Sequence, residues 1–246
     1  MLKNEVTFSI ARHAAWAPGV TSPDAWAAWA AQPWSIEAGD EPKVAAMPAM
    51  LRRRAGFLGR MALEVAYTCL GRDADVPTVF CSRHGEVGRA IALLGDLARG
   101  EPLSPTSFGL AVHNASAGLF SIARTDRANH IALAAGPSTI EHAVIEACGL
   151  LADGAPMVLL VACDEPLPAL LSGFEDCAEQ PYAFAWAMVG AGEDAVRLAW
   201  RAQESGTPAA PSATPGGLDV LRFQLGQGAP LERDAGACRW TWSRDA

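Results

Sequence analysis

Between Asn129 and Glu165 the chain reads NHIALAAGPSTIEHAVIEACGLLADGAPMVLLVACDE, and this stretch limits the possible folds most tightly. A short aliphatic run ends in Ala-Ala-Gly-Pro-Ser-Thr. A long amphipathic stretch follows, and a second apolar run closes on Asp164-Glu165. These patterns predict strand, tight turn, helix and strand in that order. A turn from strand to helix is where many α/β enzymes hold a nucleophile, so what occupies Gly136-Pro137-Ser138-Thr139 decides much of the chemistry.

The flanking text extends the same alternation. Residues 4–12 read as a strand. Ser22 or Thr21 caps a short helix with Pro23 at its first position, carrying Trp26 and Trp29, with Trp34 just beyond. Those rings are expected either in a buried helix or on a partner surface. Leu51 to Gly71 has helical spacing, with Phe57, Met61, Val65 and Cys69 on one face. Pro77 to Cys81 is a short buried strand, and Val87 to Gly100 a helix. Phe108 to Ser121 is helical in part, and the small residues around Gly118 point to close backbone packing. YAFAWAMVGAG and AVRLAWRAQ read as a hairpin through GAGEDA. About residues 205–217 are a Pro/Gly-rich loop. The tail 218–246 holds a short helix from Leu218 to Leu225 and an edge-like strand, ACRWTWSRD. The expected fold class is α/β: one domain over 1–246, built on a mixed, mostly parallel sheet with helices on both faces.

With 246 residues, half of them hydrophobic, the chain has ample material for a continuous core, and its formal net charge of -8 argues against nucleic-acid binding. None of the six cysteines forms a C-x-x-C pair or stands at zinc-ligand spacing from a histidine, so free buried thiols and no metal are expected. The N-terminus lacks an apolar core of signal-peptide length and no run is long enough to span a membrane, which places the expected location in the cytoplasm. G-x-G-x-x-G and G-x-x-x-x-G-K-[ST] patterns are absent, so no nucleotide cofactor is expected.

Three polar clusters interrupt the apolar text: Ser82-Arg83-His84-Gly85-Glu86, then His113-Asn114 before Ala115-Ser116-Ala117-Gly118, then the turn Gly136 to Thr139 with His142 one helical turn on. The first and third lie at C-terminal ends of predicted strands, where α/β sheets gather their sites. Ser138 is the candidate nucleophile, with His113 or His84 as its base and helix amides to stabilise an oxyanion. The competing reading makes Ser138 or Thr139 a helix cap, with Glu141 favourably placed in the first turn. The lack of a G-x-S-x-G elbow favours the cap. His142 reads as packed, and Asp164-Glu165 has no second acidic pair for a metal cluster.

SPTSFGLAVHNASAGLFSIART together with Asn129 to Glu165 resembles the N-terminal half of β-ketoacyl-acyl-carrier-protein synthases, of the thiolase-like superfamily, from about Leu51 to Gly192. SRHGE, VHNASAG and DEPLP carry a closer resemblance to short synthase-like proteins of aryl-polyene-type pathways described as chain-length factors. The resemblance implies a thiolase-like half-fold. It also implies a cleft at His113, Asn114, Gly118, Gly136, Pro137, Ser138 and Thr139. The family's nucleophilic cysteine falls here on Gly136, Pro137 or Ser138, and the histidine pair of its C-terminal half has no counterpart, His142 being the last histidine. Condensing activity by this chain alone is therefore not implied. What is implied is a non-catalytic subunit that pairs as a heterodimer with an active β-ketoacyl synthase, shapes its acyl tunnel and works with acyl carrier protein. The alternatives are a serine-dependent acyl-thioester hydrolase or transferase at Ser138, or a carrier-binding scaffold. A half-fold must also cover the sheet face that a second half would occupy. Trp26, Trp29, Trp34, Trp240 and Trp242 are the expected cover, from this chain or against a partner.

Overall fold

The computed structural model describes residues 4–203, 212–226 and 230–244. In chain order its strands are β1 (Glu5–Trp16), β2 (Thr78–Cys81), β3 (His130–Leu133), β4 (Val158–Asp164), β5 (Tyr182–Gly190), β6 (Val196–Ala202), β7 (Leu231–Ala235) and β8 (Cys238–Arg244). The helices are α1 (Pro23–Ala31), α2 (Ala49–Arg52), α3 (Phe57–Leu70), α4 (Val87–Ala98), α5 (Pro105–Gly109), α6 (Ala115–Arg124), α7 (Thr139–Ala152) and α8 (Gly216–Leu225). Short 3-10 turns span Gly136–Ser138 and Ala169–Phe174.

All eight strands join one sheet in the order β3-β2-β4-β5-β1-β6-β8-β7. The sheet is mixed, as expected, but its balance differs. Only β2–β3 and β2–β4 pair in parallel, and the other five pairings are antiparallel. The parallel part is the strand–helix–strand region around α7, and the remainder is built from returns that local patterning does not orient.

β5 and β6 are not a hairpin. Both pair with β1, which lies between them. Phe8 is in register with Gly190 on one side and Val196 on the other, so the chain steps over β1 at that level and continues in the same direction. Gly192 N–H donates to Ser9 Oγ at 3.0 Å and pins the crossing. The C-terminal strand β8 is interior, between β6 and β7, and β7 forms the edge.

Strand alternation divides the core into two layers. In β5 the large side chains Tyr182, Phe184, Trp186 and Met188 face α7 and α8, while Ala183, Ala185 and Ala187 face α3. Because those three positions carry only a methyl, α3 can lie close to the sheet, with Met61, Ala62, Leu63 and Ala66 buried against it. The opposite layer contains Trp26, Trp29, Trp186, Trp240 and Trp242. Trp26 and Trp29 are core residues, each 2% exposed, and Trp34 remains 47% exposed. Helices α1, α7 and α8 thus cover that sheet face, onto which Trp240 and Trp242 project from β8 of the sheet itself.

Local signals explain the helix ends. Ser22 Oγ accepts from Ala25 N–H at 3.2 Å with Pro23 in the first turn, and Ser104 Oγ accepts from Ser107 N–H at 3.3 Å with Pro105 likewise. The helical text from Leu51 splits into α2 and α3, and Gly71 ends α3. Residues 204–211, which hold most of the expected Pro/Gly-rich loop, lie outside the described residues. No helix among the described residues is long and apolar enough to cross a membrane.

Candidate functional site

The turn after β3 is closed by its own hydroxyls. Thr139 Oγ1 accepts from Ala135 N–H at 2.9 Å and donates to the Gly136 carbonyl at 2.7 Å. Gly136 has φ +57, a left-handed conformation that favours glycine. Ser138 occupies the cap position of α7, yet its side chain makes no capping bond; Oγ donates instead to the Ala135 carbonyl at 3.3 Å. Thr139, not Ser138, is therefore the residue that fixes the turn.

The C-terminal hairpin lies over this turn. Ser138 is 5% exposed, and a Cβ placed on Gly236, between β7 and β8, would sit 3.4 Å from its Oγ. Arg233 of β7 donates to the Pro137 carbonyl at 3.3 Å and pairs with Glu141, which is fully buried. Trp242 Nε1 donates to Glu141 Oε1 at 3.4 Å. From α8, Gly217 packs so tightly on Tyr182 that a Cβ there would collide with the phenol.

Neither His113 nor His84 bonds Ser138, and His142 Nδ1 lies 2.9 Å from the Ser138 carbonyl while the hydroxyl bonds Ala135. His113 Nε2 lies 3.0 Å from the Leu133 carbonyl, which only accepts, so the ring carries its proton on that nitrogen. Its other edge packs on Gly85, where φ is +58 and a Cβ would collide with Nδ1. His84 faces Glu179 at 3.8 Å. Two small cavities, each about 10 Å³, flank β2 and β4 on opposite faces. One touches Pro137, Thr139, Asp164 and Tyr182, and the other touches Ser82, Glu86, His113 and Ser116. The sheet thus separates the cavity beside His113 from the one at the serine turn. Each has room for about one water and none for an acyl chain.

His113 ties the three sequence clusters together as a wedge, touching Gly85 of the first and the strand end before the third. Asn114 is exposed ahead of α6, and its carbonyl accepts from Gly118 N–H at 2.9 Å. Gly118 itself has open space where a side chain would project, and the expected close packing is made by the small residues before it, Ser116 and Ala117. It lies between α3 and α6, where a Cβ on Gly59 would stand 3.1 Å from Ser116 Oγ. Gly59 escaped the sequence reading because a lone glycine in a helical pattern gives no directional signal.

The most connected residue is Arg83. Its backbone N–H and Nε bond Asp164 at 2.8 and 3.1 Å, and its other nitrogens reach Asp176, Cys177 and Glu179. Ser82 and Tyr182 also donate to Asp164, at 2.9 and 3.0 Å. Burial would lower the Arg83 pKa, but Asp164 and Glu179 hold it raised. Burial, then Glu86 and Asp164, push the Glu165 carboxyl up to about 7. Burial drives Cys81 and Cys163 well above the ordinary thiol range, with nearby carboxylates adding to it, so neither is an activated nucleophile.

The β-ketoacyl synthase N-terminal domain profile matches residues 26–243. The chain belongs to that family. The match extends beyond both ends of the resemblance read from Leu51 to Gly192. Among solved structures, the chain is similar to one in the complex of the ketosynthase ApeO with its chain length factor ApeC from Xenorhabdus doucetiae. That similarity has 26% identity and a TM-score of 0.85, over 97% of this chain and 100% of the other. The ishigamide ketosynthase/chain length factor matches at 14% identity and TM-score 0.62, over 80% of this chain and 68% of that one. A type II polyketide ketosynthase complex with its acyl carrier protein, AntDE:AntF, matches at 13% and 0.57, over 77% and 64%. No curated protein matches the sequence. The fold of this β-ketoacyl synthase-like chain is the thiolase-like one expected.

Proposed function

We propose that this chain is a non-catalytic, chain-length-factor-like subunit. In this reading it pairs with an active β-ketoacyl synthase and helps shape the acyl tunnel in fatty-acid or polyketide synthesis of the aryl-polyene type. The observation that carries the reading is the turn at Gly136–Ser138. It has no thiol, its serine has no base, and the chain's own hairpin covers it through Arg233, Gly236 and Trp242. A family member built this way contributes shape rather than covalent chemistry. The end-to-end similarity to a chain from a ketosynthase–chain length factor complex supports the pairing.

The two cavities beside these turns hold about one water each, so in this reading the acyl chain lies between this subunit and another. β3 offers a surface for that. Thr78 and Ser82 N–H groups bond the carbonyls of Asn129 and Leu133, so alternate residues of β3 face β2. The backbone groups of His130 and Ala132 consequently point outward along an open sheet edge. α6, which packs against β3, leaves Ile122 65% exposed, and Phe108 of α5 is 67% exposed. The partner synthase covers this edge, and acyl carrier protein delivers substrate to the pair.

Co-expression with a ketosynthase and carrier protein from the same organism tests the reading. The expected outcome is a stable heterodimer whose product length changes when Phe108 is replaced by a smaller or larger side chain. Failure to copurify with the ketosynthase overturns it.

A further inference from the structure

The loop after β4 folds back onto the polar turn after β2, and there negative charge exceeds positive. Asp164, Asp176 and Glu179 all bond the single guanidinium of Arg83. One guanidinium thus faces three carboxylates, although the Arg83 and Glu179 side chains are only 5% and 4% exposed. Such an imbalance away from water is costly unless something neutralises it.

Two buried atoms in the same place have no hydrogen-bond partner, Glu179 Oε1 and His84 Nε2. They face each other across 3.8 Å. Asp176, Cys177 and Glu179 each present a ligand atom within 4.8 Å of the other two. We propose that His84, Asp176, Cys177 and Glu179 bind a zinc ion that pins the loop after β4 to the turn after β2.

Zinc bonds of about 2.0–2.3 Å in a tetrahedron hold ligand atoms about 3.3–3.7 Å apart. The gap between His84 and Glu179 is already close to that separation. His84 lies outside that group of three and has to move in, and Asp176, Cys177 and Glu179 exchange their bonds to Arg83 Nη1 and Nη2 for the metal, the Cys177 proton passing to solvent. Arg83 keeps Asp164 through Nε and its backbone N–H, so the clamp on β4 survives. Asp176, 35% exposed, gives the ion a path inward. Imidazole, thiolate and two carboxylates favour zinc over magnesium or calcium, which prefer oxygen alone. No zinc spacing marks the site in the sequence, because His84 lies far along the chain from Asp176-Cys177-Ala178-Glu179.

The test uses the full chain, stripped with chelator and then dialysed against zinc, with elemental analysis and thermal denaturation. Wild type is expected to retain about one zinc per chain and to melt higher with it. His84→Ala and Cys177→Ser remove ligands while leaving the Arg83–Asp164 clamp, and are expected to fold and to bind zinc at least tenfold more weakly. Cobalt in place of zinc is expected to give visible thiolate-to-metal absorption that Cys177→Ser abolishes. Zinc retention well below one per chain, equal binding by both variants, or equal preference for magnesium overturns the proposal.

Discussion

Arg233 of β7 pairs with Glu141, a fully buried carboxylate of α7, and so ties the C-terminal hairpin across the turn where a synthase nucleophile would stand. Arg233→Met leaves that carboxylate without its cation. The expected loss is about 3–5 kcal/mol, the usual consequence of stranding a buried charge. Glu141→Gln with Arg233→Met removes both charges, keeps an acceptor for Trp242 Nε1, and is expected to recover most of it. Urea unfolding midpoints measure both. A single variant within about 1 kcal/mol of wild type would show that the pair does not hold the hairpin.

The two hydroxyls of the turn are expected to behave unequally. Ser138→Ala gives up one bond to the Ala135 carbonyl and should cost under about 1 kcal/mol. Thr139→Val leaves the Ala135 N–H without its partner and takes the hydroxyl from the Gly136 carbonyl, which keeps the residue-139 backbone N–H, and should cost about 1–3 kcal/mol. If Ser138→Ala is the more damaging, or if the purified chain releases acyl groups from a carrier thioester in a Ser138-dependent way, the catalytic reading returns.

Those residues also mark how far the sequence could be read. Strand, turn and helix at Asn129 to Glu165 were legible because each period is local, and so were the cap at Ser22 and the helix end at Gly71. The place of β1 between β5 and β6 was not legible, since alternation tells which face a residue takes but not which strand it pairs with. Ser138 misled for a related reason. Its position after a strand matched both a nucleophile and a cap, while its actual bond depends on the turn geometry set by Gly136 and Thr139. The covering of the turn was hidden further still, because Arg233 and Gly236 lie in a stretch whose local pattern reads as an ordinary charged edge.

Ala132 offers a clean probe of the open edge. Its N–H points away from β2, so Ala132→Pro removes a donor that the protomer does not use, and proline is tolerated on such an edge. The variant is expected to keep its far-ultraviolet circular dichroism and to lose assembly with the ketosynthase in size-exclusion chromatography. Ile131→Pro, whose N–H faces β2, is expected to destabilise the fold itself. Assembly at wild-type affinity by a folded Ala132→Pro protein would place the interface elsewhere.

Glu165 should make stability depend on pH in the unusual direction. Burial, Glu86 and Asp164 raise its carboxyl from 4.5 to about 7 in the folded chain, so the folded state holds this proton more tightly than the unfolded state does. Its contribution is greatest below about pH 4.5, declines as pH rises towards 7 and is flat beyond. Glu165→Gln, which cannot ionise, removes that decline. Relative to wild type it is expected to gain about 1–3 kcal/mol at pH 8 and to differ little at pH 4.5. Urea titrations of both proteins across this range measure the difference. A gap that stays constant from pH 4.5 to 8 would mean that Glu165 ionises as an ordinary surface carboxyl, and that its place beside Glu86 at the start of α4 costs the fold nothing.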